Sequence, residues 1–172
     1  MLACKTPPSL KKEDVLYSFE AVSYDDGSSS VEAHEWVVRS IQTKPTLICL
    51  RGVSLLNSSR KAVFINLVSK KKNITWINGE WANYIPKDYR KKFERGERLP
   101  EGVYTTQLQA IKFAVNKQHE NIAFAEAELS AATSKKDIDI WADELACYKR
   151  EMKLLKGRLT RIVNLKLKAK TA

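Results

Sequence analysis

The chain has 172 residues, 44% of them hydrophobic and 29% charged, enough to bury one real core or a modest core with a helical extension. No uninterrupted apolar run approaches the roughly 20 residues that crossing a bilayer requires, so the composition is that of a water-soluble globular protein with no membrane partner. The net charge of +10 is concentrated at one end: residues 1–30 carry three basic and five acidic side chains, whereas residues 146–172 carry nine basic ones against a single acid, Glu151.

Leu2-Ala3-Cys4 has the look of a lipoprotein cleavage box, but no basic region or apolar stretch precedes the cysteine, so acylation is not expected. Cys4, Cys49 and Cys147 are odd in number and far apart, without a C-x-x-C pair. That argues against a disulfide framework or a zinc knuckle and fits a reducing cytoplasm. Residues 9–22 form a short element whose period is ambiguous between helix and strand. Asp25-Asp26-Gly27-Ser28-Ser29-Ser30 then reads as a break, a linker or mobile loop.

From Ser30 onward, Ala33, Trp36, Val37, Ser40 and Ile41 fall on one helical face, predicting a helix over 31–42 with Ser30 as N-cap. Pro45 stops it. Residues 46–51 are a short apolar run closed by Gly52 and read as a buried strand. Residues 62–68 read as a strand too, although their period does not exclude a helix. Over 74–85 the dipeptide Asn78-Gly79 suits a type I′ turn, and places Trp76 opposite Trp81. Pro86 fits the first turn of a short helix running to Arg95, stopped by Gly96, with Tyr89 and Phe93 on its apolar face.

The strongest pattern comes last. Leu108, Ile111, Val115, Gln118, Ile122, Ala125, Leu129 and Ala132 repeat at alternating steps of three and four, and so do Ile138, Trp141, Leu145, Tyr148, Met152, Leu155, Leu159 and Ile162. These are two heptad seams of equal length. The short Thr133-Ser134-Lys135-Lys136 connection makes the helices antiparallel neighbours, with Asp137 and Asp139 at the positive dipole end of the second. The expected fold is α+β: a small mixed α/β head with a β-hairpin, then a long antiparallel two-helix coiled-coil hairpin. The expected division is 1–30 as N-terminal segment and linker, 31–103 as head, 104–168 as hairpin and 169–172 as basic tail. A second apolar stripe includes Ala110, Phe113, Phe124 and Ala127 on the first helix with Ile140, Cys147 and Leu154 on the second. Either the N-terminal part covers it, which is preferred because the chain itself supplies that partner, or two hairpins form a homodimer through Phe113, Phe124, Ile140 and Leu154.

Little here points to catalysis. His34 and His119 have no paired-ligand spacing. Asp137, Asp139, Asp143 and Glu144 beside Lys135 and Lys136 could hint at a divalent-metal nuclease, but a helix start explains them as a solvated cap. Phosphate-cradling and nucleophile-elbow motifs are absent, so no enzyme activity, metal or cofactor is expected.

The basic segments point elsewhere. Lys87, Arg90, Lys91, Lys92 and Arg95 interleave with Trp76 and Trp81, a pattern in which cations meet phosphates and rings stack on bases. The competing reading puts those aromatics, with Tyr89 and Phe93, in the core. Lys149, Lys153 and Lys156 line one face of the final helix, with Arg150, Arg158 and Arg161 close by. The function expected is therefore a non-catalytic nucleic-acid-binding accessory protein whose basic hairpin contacts the phosphate backbone. The alternative is a protein-interaction module, an inhibitor or adaptor of phage or mobile-element type, docking the hairpin on an acidic protein surface.

Overall fold

A computed structural model describes residues 6–7, 9–50 and 53–171, with side chains except at 46–50, 53–60 and 170–171. Leu2-Ala3-Cys4, Gly52 and the burial expected for 46–51 lie outside the described residues. The fold is mixed α+β with a two-helix hairpin. Strands β1 (Val15–Ser23), β2 (Ser29–Leu50), β3 (Val53–Ser69) and β6 (Arg90–Glu94) form one four-stranded sheet in the order β1-β2-β3-β6, and β4 (Trp76–Ile77) pairs with β5 (Glu80–Trp81). Helices α1 (Gln107–Ala131) and α2 (Lys135–Thr171) follow. The chain divides into two compact units, Met1–Leu16 with His34–Val103, and Tyr17–Ala33 with Tyr104–Ala172.

In the strand-rich unit, the helix expected over 31–42 is instead part of β2. Val37, Val38, Ile41 and Thr43 are β-branched and suit a pleated strand. The pairing of β2 with β3 skips a residue between Val38 and Ser40, which makes Arg39 a bulge. Trp36 and Val38 enter the core and Ile41 packs against it. A bulge turns the strand's step of two into one of three, and that produced the apparent helical spacing. Pro45 does not end the element; it sits at a second register shift, between Pro45 and Thr46, where a residue without an N–H is tolerated.

The strand expected over 62–68 is present within β3, whose Ile65 and Leu67 are fully buried. The helix expected over 86–95 is a single 3-10 turn, Lys87–Tyr89, followed by strand β6. Tyr89 and Phe93 alone are too thin an apolar stripe to hold a helix. Phe93 pairs with Ile65 on β3 and is buried in the core with Leu10, Leu99 and Val103. Gly96 does stop the element, at φ 93°. The tryptophan hairpin forms as expected but is shorter than 74–85: Asn78 (φ 51°) and Gly79 (φ 87°) both take the left-handed backbone of a type I′ turn, and Trp76 pairs with Trp81.

The second unit holds the helical hairpin. Thr106 caps α1, its hydroxyl accepting from the Gln109 N–H at 3.3 Å. Ser134 caps α2, accepting from the Asp137 N–H at 3.1 Å and donating to the Asp137 carboxylate at 2.6 Å. At about 1.5 Å per residue, the 25 residues of α1 span roughly 37 Å and the 37 of α2 roughly 55 Å. The helices are therefore unequal, and residues 169–171 continue α2 instead of forming a separate tail. Both seams face inward: Ile111, Val115, Gln118, Ala125, Met152, Leu155 and Ile162 are buried, and Ile138, beside the connection, is the member left exposed.

Residues 9–22, ambiguous by period, contribute strand β1, and the linker or loop expected over 25–30 is a closed turn into β2. Tyr24 N–H donates to the Ser28 carbonyl and Gly27 N–H to the Tyr24 carbonyl, both at 2.9 Å, with Gly27 at φ 78°. Phe19 joins the core of α1 and α2, and Tyr17, Ala21 and Val31 pack against it. The chain thus covers part of the apolar stripe itself. Ala110 is buried and Phe113 lies 5.6 Å from the Tyr104 ring, whereas Phe124, Ile140 and Leu154 remain exposed.

Candidate functional site

Glu151 is the one acid in the basic last stretch, and it points into the hairpin. It is 7% exposed. Its carboxylate accepts from Gln118 Nε2 at 2.8 Å and from Ser23 Oγ at 2.8 Å, and the Cys147 thiol lies 3.8 Å away. Ser23 has one proton to give and gives it to Glu151, so it accepts from the Cys147 thiol at 2.9 Å and from Ser29 Oγ at 2.8 Å. Gln118, the polar residue of the first seam, also donates to the Tyr148 carbonyl at 3.1 Å. A buried carboxylate persists only where donors surround it, and this one collects them from β1 and α1, with the Cys147 thiol of α2 held beside it.

With Glu151 turned inward, the outer side of α2 carries cations. Lys149, Arg150, Lys153, Lys156, Arg158, Arg161, Lys166 and Lys168 are all exposed. Lys149, at the head of the lysine stripe, pairs with Glu126 of α1 at 3.1 Å. Arg150, Lys153, Arg158 and Arg161 instead line an open cleft of about 600 Å³ with Leu154 and Gly157. Its other wall is the β1–β2 turn region, through Gly27, Ser29 and Val31. Arg158 lies 5.9 Å from the centroid of the buried Phe19 ring, a contact that restricts the guanidinium.

The sequence pattern brought the four cations together but missed the cleft's other wall and its glycine. Arg150, Leu154, Gly157 and Arg161 recur at steps of four, three and four, a stripe beside the Lys149-Lys153-Lys156 one. That spacing was the available signal for the helical side. The Gly27 and Ser29 side had none, because 25–30 read as a linker.

In the strand-rich unit the expected site residues separate into three fates. Trp76 and Trp81 are half-buried and meet edge to face at 5.0 Å. Lys70 lies over Trp76 at 4.3 Å and Arg39 over Trp81 at 4.7 Å, so each indole already carries a cation. Lys91 lies over Trp36 at 4.8 Å and Lys92 over Phe64 at 4.2 Å. Arg95 donates to the Leu10 carbonyl at 3.0 Å. Lys87 and Arg90 are exposed. Arg39 was missed in this group because a helix was expected there. A second hollow, about 520 Å³, opens beside Trp76 between Lys70, Lys72, Asn73 and Asn78.

Among the described residues no cluster of three or more His, Cys, Asp or Glu side chains could hold a metal ion, and no helix is long and apolar enough to cross a membrane. No family model matches the chain, and no curated protein or solved structure does either.

Proposed function

We propose that this chain is a non-catalytic nucleic-acid-binding accessory protein that grips the phosphate backbone with the outer side of α2, acting in a reducing cytoplasm. The observation that carries the reading is the inward turn of Glu151: the one acid in residues 146–172 is 7% exposed, while the cations around it are exposed. Cations displayed on one rigid helix release the counter-ions condensed on a nucleic acid, and affinity then depends on salt and weakly on sequence. The rings of the strand-rich unit support it less, since Trp76 and Trp81 already lie under Lys70 and Arg39.

The test is a fluorescence-anisotropy titration of labelled duplex and single strands. Six phosphate contacts would weaken duplex binding about a thousandfold between about 50 and 200 mM salt. Absence of binding to either form near the lower concentration removes the reading.

A second reading rests on apolar exposure. Phe124 is 57% exposed, Ile140 47% and Leu165 67%, and such side chains on a helix suit a protein partner, whether an acidic target or a second copy of this chain. On this reading, reversing the charges of Lys149, Lys153 and Lys156 leaves nucleic-acid affinity unchanged, and Phe124→Ser with Ile140→Ser abolishes the protein contact in a pull-down or in sedimentation.

A further inference from the structure

We infer that the cleft between α2 and the β1–β2 turn is a discrete site for a compact oligophosphate, the chemistry shared by inorganic tripolyphosphate and the triphosphate of a nucleotide. This goes beyond the backbone-binding reading and does not require it. Three observations converge. Arg150, Lys153, Arg158 and Arg161 meet around one cleft of about 600 Å³, a volume within the roughly 300–1,000 Å³ usual for small-ligand sites. Among the described residues, none of the four is joined in an ion pair to a carboxylate, in contrast to Lys149 on Glu126. Four cations gathered around one cleft repel one another and match the charge of a triphosphate better than that of a single carboxylate or phosphate.

The third observation is Gly157. Glycine inside a helix weakens it relative to alanine, so a helical glycine calls for a reason. Packing supplies none, because a Cβ at Gly157 would meet nothing within 4 Å. What the missing side chain does provide is bare helix backbone on the cleft wall, between Lys153 and Arg161, where a ligand can approach closely. Arg158, resting on Phe19 at 5.9 Å, is held near its working position before any ligand arrives.

Calorimetric titration of the full chain with inorganic tripolyphosphate, and separately with adenosine triphosphate, at fixed ionic strength tests this. One site per chain is expected, with tripolyphosphate binding showing that the phosphates suffice and any tighter binding of the nucleotide assigning a contribution to its nucleoside. Arg150→Gln with Arg158→Gln should weaken both ligands by about tenfold or more. Gly157→Leu should weaken them as much while leaving the helical circular dichroism intact. Lys135→Gln with Lys136→Gln, the same charge change at the other end of α2, should leave affinity unaltered. Binding without a single-site stoichiometry, equal losses in the Lys135/Lys136 variant, or full affinity in Gly157→Leu would each overturn the site. Tripolyphosphate binding by a protein that ignores nucleic acid removes only the backbone reading; the reverse result removes only the cleft.

Discussion

Cations are treated differently in the two units. In the strand-rich unit Arg39, Lys70, Lys91 and Lys92 each lie over an aromatic ring, at 4.2–4.8 Å from its centroid. In the helical unit Arg150, Lys153, Arg158 and Arg161 line an open cleft, and of these four Arg158 reaches a ring, at 5.9 Å. Of the cations in the strand-rich unit, Lys92 on β6 meets Phe64 on β3, the strand it pairs with, whereas Lys91 reaches Trp36 on β2, Arg39 reaches Trp81 on β5, and Lys70, just past the end of β3, reaches Trp76. A helix sends its outer residues away from any neighbour. Those four cations of the strand-rich unit are thus absorbed by the fold, while Lys87 and Arg90 stay exposed there, and the cations on the outer side of α2 remain available to a partner.

That contrast requires two well-packed cores, and the largest expected effects test them. Ile65 is fully buried in the strand-rich core and Leu155 is 1% exposed in the helical one. Truncating either to alanine should cost about 2–5 kcal/mol, measured by urea unfolding. A cost below about 1 kcal/mol at Leu155 would mean that α1 and α2 are not held by their seam.

The next effect concerns the charge that the helical core buries. Among the described residues, the buried polar side chains of the strand-rich unit are Thr6, Ser69 and Thr75, all uncharged, whereas the helical unit buries Glu151 with Gln118. Gln118→Leu leaves the carboxylate short of a donor and should destabilise by about 2–3 kcal/mol. Adding Glu151→Leu should recover most of that loss, since an apolar pair of similar volume avoids burying a charge. A double variant as unstable as the single one would show that the network is not what the Gln118 side chain supports.

A smaller effect separates the cations directly. Lys70→Ala and Arg39→Ala should each cost about 0.5–1 kcal/mol through the lost ring contact. Lys153→Ala, on the exposed side of α2, should stay within about 0.5 kcal/mol of the parent. Equal costs at all three would erase the distinction between absorbed and displayed charge.

The helices were legible in the sequence because helical periodicity is local: sixteen seam positions can be read without knowing what they touch, and nearly all face inward. The hairpin of Trp76 and Trp81 was legible for the same reason, since Asn78-Gly79 specifies its own turn. The four-stranded sheet was not. Its register carries a bulge at Arg39 and a shift at Pro45, each a property of how β2 pairs with β3 that neither strand's own pattern displays, and each disguises the period of two. The site divides along the same line. Arg150, Lys153, Arg158 and Arg161 could be read from one helix, but Ser29 and Val31 could join them only once 25–30 was known to be a turn and 29–33 a strand. The inward turn of Glu151 was half visible, in that Gln118 stood out as the polar member of a seam and required a partner.

The smallest effect is a dependence on pH. The Tyr148 phenol is held above its ordinary value of 10.0, first by burial and then by a hydrogen bond to Glu144 and the charge of that carboxylate. A raised value means that the folded chain holds the phenolic proton more tightly than the unfolded one. Tyr148 therefore contributes stability that is fully present below about pH 10 and is lost as pH climbs through the folded value. Asp26 acts on the other side. A hydrogen bond from Ser28 lowers its value from the ordinary 3.8, so its contribution is present above that value and lost as pH falls through the folded one. Denaturant midpoints measured across the alkaline range should decline, and Tyr148→Phe should flatten the decline without altering the acid limb. Should the phenylalanine variant decline as steeply as the parent, Tyr148 is not the group that titrates, and the cluster formed by α2 around Glu144 and Glu151 is more open to water than its geometry implies.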